Sequence, residues 1–199
     1  MAGEKRVIVL DLETQKAFSE IDRSKPHLLK ISVVGIHDSL DDAYLCFEEN
    51  ELVKLEERLK GADLIVGFNI IDFDMRVLGP CLLTDSSRFR VLDLMVEFQK
   101  VRGHRASLQS LAQPTLNLSK SGTGLEAIDL YREGRMEELK KYCLDDVRIT
   151  KELYEYGLRH KKIFFYSDRD LVTYEVPIDW SDAAEEPVEK GDSFPQSLF

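Results

Sequence analysis

The chain has 199 residues, of which 43% are hydrophobic and 32% charged, with a formal net charge of −10 at pH 7. That length suits one domain with a filled core and some extra, and is marginal for two. No apolar run reaches the length of a membrane span, residues 1–6 carry no signal-peptide core, and the acidity speaks against a simple electrostatic binder of nucleic acid.

The first predicted element is the apolar run Val7 to Leu10, rich in β-branched residues, which reads as a buried strand closed by Asp11-Leu12-Glu13. Side chains alternate along a strand, so Asp11 and Glu13 point to one face and Leu12 to the other. Two adjacent carboxylates repel unless a positive charge lies between them. A hard divalent cation such as Mg²⁺ or Mn²⁺ is one candidate; a solvated strand-to-loop junction is the ordinary alternative.

Thr14 to Lys25 reads as a loop, and His27 to Ile36 and Ala43 to Phe47 as two more strands. Glu51 to Lys60 is a helix with Leu52, Leu55 and Leu59 on one face. Asp63 to Phe68 is a fourth strand, after which Asn69 is placed as the N-cap of a helix over 70–78, stopped by Gly79-Pro80. Arg90 to Leu94 is a short fifth strand whose Asp93 is assigned to cap the next helix or bind a nearby base. Short helices follow, including 107–112 and 124–131. The longest helix spans 133–158, and 163–166 with 172–180 form a hairpin. The order β-β-β-α-β-α-β-α implies an α/β fold, a mixed β-sheet flanked by helices on both faces.

Charge is unevenly spread. Between Asp85 and Gly124 the bases Arg88, Arg90, Lys100, Arg102, Arg105 and Lys120 outnumber the acids Asp85, Asp93 and Glu97. From Ser181 the chain is acidic and poor in apolar residues, the composition of a disordered tail. The three cysteines, Cys46, Cys81 and Cys143, stand singly in apolar stretches. They fit reduced packing residues of a cytoplasmic protein better than a disulfide framework or a zinc site.

Two further stretches place acids near apolar faces. In Gly67-Phe68-Asn69-Ile70-Ile71-Asp72-Phe73-Asp74, Asp74 falls early in the predicted helix. On the long helix, Leu139, Cys143, Val147, Thr150 and Tyr154 make a stripe that Tyr142 and Asp146 border, four residues apart on one face. Asp145 lies opposite, among residues able to pair with it. A carboxylate beside a core-facing stripe is costly to desolvate without a partner, either a cation or an arginine.

In order and separation, D-x-E, N-x-x-x-F-D and Y-x-x-x-D resemble the DEDD superfamily of 3′–5′ exonucleases in its tyrosine branch. The wording is similar to the proofreading exonuclease domain of family B DNA polymerases, from about Arg6 to Gly157. The resemblance implies a ribonuclease-H-like fold over residues 1–160; the hairpin over 161–180, which extends the sheet or flanks the substrate channel, and the acidic tail over 181–199 lie outside it. It implies Asp11, Glu13, Asp74 and Asp146 as ligands of two ions, Mg²⁺ or Mn²⁺, with Asp11 bridging both and Tyr142 orienting the attacking water. Two such ions, about 3.5–4 Å apart, stabilise the attacking and leaving oxygens of an in-line displacement at phosphorus.

By the same resemblance Leu12, Thr14, Asn69 and Phe73 contact the terminal nucleotides, for Leu12 and Phe73 with plain core packing as the alternative. Arg102 and Arg105 are the leading phosphate contacts among the bases of the middle region. The implied substrate is a single-stranded DNA or RNA 3′ end, DNA favoured. The rival is a non-catalytic module that binds nucleic-acid ends or a protein partner. Gln196 and the terminal Leu-Phe weakly suggest a partner-binding tail of the sliding-clamp type, for which chance is the better explanation.

Overall fold

A computed structural model describes residues 5–119 and 124–180. Lys120 and the tail from Ser181 lie outside the described residues. Among these, five strands form the main sheet: β1 (Val7–Thr14), β2 (Ile31–Asp38), β3 (Ala43–Glu48), β4 (Leu64–Gly67) and β5 (Val91–Asp93). Their spatial order is β3-β2-β1-β4-β5. β2 runs antiparallel to both β1 and β3, whereas β4 runs parallel to β1 and β5. The β-rich run of sequence thus gives an antiparallel meander, and the helical crossovers give the parallel half.

Alternation along β1 divides the core. Ile8, Leu10 and Leu12 pack with Leu52, Leu55 and Leu59 of α1 (Leu52–Lys60) and Val77 and Leu78 of α2 (Asp74–Leu78). Val9 faces the other way, into a cluster holding Phe98 of α3 (Leu94–Arg102), Leu111 of α4 (Leu108–Leu116) and Val147 and Leu153 of α6 (Met136–His160). α5 (Gly124–Arg132) packs on α6. Helices therefore cover both faces, as the element order implies.

Two predictions need correction. The second strand starts at Ile31 rather than His27, because Pro26–Leu29 form a 3-10 turn that buries Leu29 before Lys30 adopts a φ of 56°. The helix expected from Ile70 begins only at Asp74. Asn69 is no N-cap: its φ of 64° turns the chain sharply after β4, a left-handed conformation that Asn tolerates better than most residues. β6 (Lys162–Ser167) and β7 (Val172–Pro177) form the expected hairpin, a two-stranded sheet separate from the main one. Ile163, Phe165 and Val176 join the α4–α6 cluster, and Thr115 of α4 exchanges hydrogen bonds with the backbone of Phe164.

Beside the first residues of β1, buried Asp38 at the end of β2 accepts hydrogen bonds from Arg6 Nε at 3.0 Å and Arg58 Nη1 at 2.9 Å. Burial alone would raise this carboxyl, but the bonds from Arg6, Arg58 and the Leu40 N–H outweigh it and hold its pKa at about 2. A depressed folded-state pKa gives stability that is complete above the unfolded pKa, near 4, and is lost as pH falls through about 2. Asp38→Asn is expected to cost on the order of 2 kcal/mol at neutral pH. In denaturant titrations that gap should close between about pH 4 and pH 2; a pH-independent gap would mean that Asp38 acts through packing alone.

Candidate active site

The last residues of β1 carry the site. Asp11 pairs in register with Gly35 of β2, and there the sheet has no side chain to hold α6 away. A Cβ at Gly35 would stand 2.9 Å from Cys143 Sγ and 3.1 Å from Val147 Cγ2. This close approach brings Asp146, one turn from Cys143, to the strand end. Asp11, Glu13 and Asp146 each offer a carboxylate oxygen within 4.8 Å of the others. Glu13 and Asp146 are buried, Asp11 partly so.

Asp74 reaches the same place from α2. The pairing of β1 with β4 covers only Val7 to Val9. Beyond it, the Leu12 N–H donates to Asp74 Oδ1 at 3.0 Å, so the carboxylate continues the sheet edge where the strand has ended. Burial, and then the Asp11 charge, push the Asp74 carboxyl well above its ordinary pKa against the pull of that N–H. Cys143 donates to the Asp11 carbonyl at 3.5 Å, and burial followed by the charges of Asp11 and Glu13 raises its thiol, keeping it neutral.

The four acids meet at a cleft of about 710 Å³. All its candidate ligands are oxygens, which suits a hard divalent cation. With Mg–O bonds of about 2.1 Å, neighbouring ligand oxygens of an octahedral ion lie about 3.0 Å apart and opposite ones about 4.2 Å, so the three carboxylates would draw closer together to share an ion.

Of the predicted substrate residues, Leu12, Thr14, Asn69, Phe73 and Arg105 line the cleft. Arg105 donates to Asn69 Oδ1 and pairs with Asp72 at its rim. Arg102 does not line it: its guanidinium lies 4.4 Å over the Tyr174 ring of β7, a cation–π contact. Arg88, Arg90 and Lys100 are also absent from the lining, and Lys100 pairs with Glu97 at 2.7 Å.

Tyr142 is placed elsewhere as well. It lines a neighbouring groove with Glu126, Leu130 and Asp145 and packs with Ala127, between α5 and α6. Four residues along a helix amount to about 6 Å of rise, and one turn before Asp146 the face is covered by α5. Asp145 has the pairing partner expected of it, Arg148 at 3.8 Å.

Lys16, Phe18 and Arg23 on the loop after β1, and Leu125 and Ile128 on α5, also line the cleft, although none is among the site residues expected from sequence. Bases interleaved with an aromatic residue just after D-x-E were the available signal for the first three.

No curated protein matches the chain. Among solved structures, the family B DNA polymerase from the hyperthermophilic archaeon Pyrobaculum calidifontis is similar to it, with 18% identity and a TM-score of 0.59 over 78% of this chain and 25% of that one. This chain thus spans a quarter of the polymerase, and the likeness is one of fold. The family described as the RNase_H superfamily matches residues 10–157. That match runs from Leu10 within β1 to the last turn of α6, across all four acids, and the chain belongs to the RNase_H superfamily.

Proposed function

We propose that the protein is a metal-dependent 3′–5′ exonuclease acting on single-stranded nucleic acid, DNA in preference to RNA. The observation that carries this reading is the convergence of Asp11, Glu13 and Asp146 within 4.8 Å of one another, at a cleft that also holds Asp74. Mg²⁺ or Mn²⁺, two ions held by these four carboxylates, would supply Lewis-acid polarisation of the phosphate and a lowered pKa for water. Asp74, tied to the Leu12 N–H, holds its oxygens at a fixed height beside β1.

Phe18 and Phe73, with ring centroids 5.9 Å apart, offer faces on which a terminal base stacks. Leu12, Leu29 and Ile128 exclude water from the floor. Arg105 presents a guanidinium at the rim, suited to bidentate capture of a phosphate. Lys16 and Arg23 add positive charge on the opposite loop. Residues 1–160 form the catalytic unit of this proposal, and the hairpin and acidic tail are its accessories.

Labelled single-stranded DNA and RNA incubated with Mn²⁺ should yield nucleoside monophosphates from the 3′ end, and EDTA should abolish the reaction. Products released from the 5′ end, or turnover that survives EDTA, would reject the proposal. Arg105→Ala is expected to raise KM several-fold and to make the salt dependence of binding shallower by about 0.7 in log–log slope, the loss of one phosphate contact on a single strand. An unchanged slope would remove Arg105 from the substrate path.

The second reading, a module that binds nucleic-acid ends without cleaving them, draws on one observation: Tyr142 lines the α5–α6 groove rather than the cleft. Metal-independent binding with no turnover would favour it.

A further inference from the structure

We propose that Asp93 is the positioning residue of this cleft, its carboxylate fixing the loop that delivers Asn69, Phe73 and Asp74; its kinetic consequence rests on the exonuclease reading. Asp93 ends β5, opposite Gly67 of β4, and is 1% exposed. Its Oδ1 accepts the N–H groups of Met95 at 3.0 Å and Val96 at 3.3 Å, an ordinary N-cap of α3. The same oxygen also accepts the Asn69 N–H at 2.8 Å, and Oδ2 accepts the Ile71 N–H at 3.0 Å. These last two bonds do nothing for α3; they reach back 24 and 22 residues to the loop between β4 and α2.

That loop lies between β4 and α2 and belongs to neither. It begins with left-handed Asn69 and folds tightly over the strand end, where a Cβ at Gly67 would meet Ile70 at 2.6 Å. The Phe73 N–H then donates to Asn69 O at 3.0 Å and the Met75 N–H to Ile70 O at 2.8 Å. Asp74 stands between these two donors and accepts the Leu12 N–H. A chain of hydrogen bonds therefore runs from Asp93 through the loop to Asp74 and β1, with Asn69 Oδ1 held against Arg105 on the way. Three of the four N–H groups share Oδ1 and one takes Oδ2, so both oxygens of the carboxylate are engaged. With both oxygens turned to backbone N–H groups and no place in the cleft lining, Asp93 works through its neighbours and not as a fifth ligand.

Two variants separate the cap from the loop. Asp93→Asn retains an oxygen for Met95 and Val96 but turns an amide N–H₂ toward the Ile71 N–H, donor against donor. Asp93→Ser caps α3 but is too short to hold the loop. Backbone amide exchange and resonance positions in both variants are read alongside oligonucleotide hydrolysis with Mn²⁺. The Met95 and Val96 amides should stay protected, the Ile71 amide should exchange about tenfold faster or more, and the Leu12 resonance should move as Asp74 shifts. kcat should fall by about ten- to a hundredfold with little change in KM.

Unchanged Ile71 and Leu12 amides in both variants would overturn the proposal, as would a loosened loop with kcat intact. Loss of the fold in both would reduce Asp93 to a structural cap and overturn it too. If the wild-type protein hydrolyses no oligonucleotide, the exonuclease reading fails, and the Leu12 and Ile71 amides still decide whether Asp93 positions the loop.

Discussion

Asp146→Asn is expected to reduce oligonucleotide hydrolysis by about a thousandfold or more, equivalent to about 4 kcal/mol of transition-state stabilisation, while making the metal-free protein more stable. Both effects come from the same 4.8 Å cluster. Two unit charges at that separation repel by on the order of 3 kcal/mol at an effective dielectric constant of 20. Solvent and neighbouring dipoles screen part of this, leaving a gain of about 1–2 kcal/mol when one charge is removed. For a domain of this size that corresponds to a melting temperature higher by a few degrees, at about 2–4 °C per kcal/mol.

Adding Mn²⁺ should then reverse the order of stability. Ligand binding stabilises the wild type by about 2.7 kcal/mol at a hundredfold excess over the dissociation constant, and the variant, lacking a ligand, gains much less. Equal stabilisation of both proteins would show that the cation binds elsewhere. Wild-type turnover in Asp146→Asn would remove this cluster from the chemistry. The pairing of a stability gain with an activity loss matters, because a merely misfolded variant would lose both.

How far the sequence carried this picture depended on how local each determinant is. The joint orientation of Asp11 and Glu13 follows from strand alternation, and the inward placement of Asp146 from helical spacing, so both were legible from periods of 2 and 3.6. The order of strands and helices was enough for a mixed sheet covered on both faces. Asn69 was misread because N-capping and a left-handed turn both favour Asn after a strand. What separates them is Asp93, 24 residues downstream, which supplies the acceptor for its N–H.

Arg102 and Arg105 look alike in a basic stretch, yet Gly103 (φ 76°) turns the chain between them. One guanidinium then stacks on Tyr174 of the hairpin and the other reaches Asn69. Tyr142 shares a helical face with Asp146, as its spacing requires, but what covers each turn of that face is decided by α5. Spacing along one helix carries no information about the neighbour that packs on it.

Gly35→Ala is the substitution expected to disturb the site most without touching any of its acids. The new methyl would lie 2.9 Å from Cys143 Sγ, 3.1 Å from Val147 Cγ2 and 3.3 Å from Leu144 Cδ2. All three belong to α6, so the relief available is for the helix to move outward, taking Asp146 with it. Overpacking of this kind costs about 1–3 kcal/mol, and a displacement of an ångström at a catalytic group can cost about a hundredfold in rate. Gly157→Ala provides the contrast: its Cβ would meet Trp180 Cζ3 at 2.3 Å and Ile178 Cδ1 at 2.5 Å, three turns of α6 beyond Asp146. That variant should melt earlier yet keep its kcat at a temperature where it is folded.

The mechanism assigned to Gly35 can be tested by a second substitution. Cys143→Ala removes the sulfur that makes the shortest contact, leaving Val147 and Leu144 to give by a few tenths of an ångström. Added to Gly35→Ala, it should restore part of the stability and of the rate, with a coupling of about 1 kcal/mol in the double-mutant cycle. Strict additivity would mean that the methyl is accommodated without moving α6. In that case the proximity of Asp146 to Asp11 would not depend on the bare backbone at Gly35, and the lost activity would need another source.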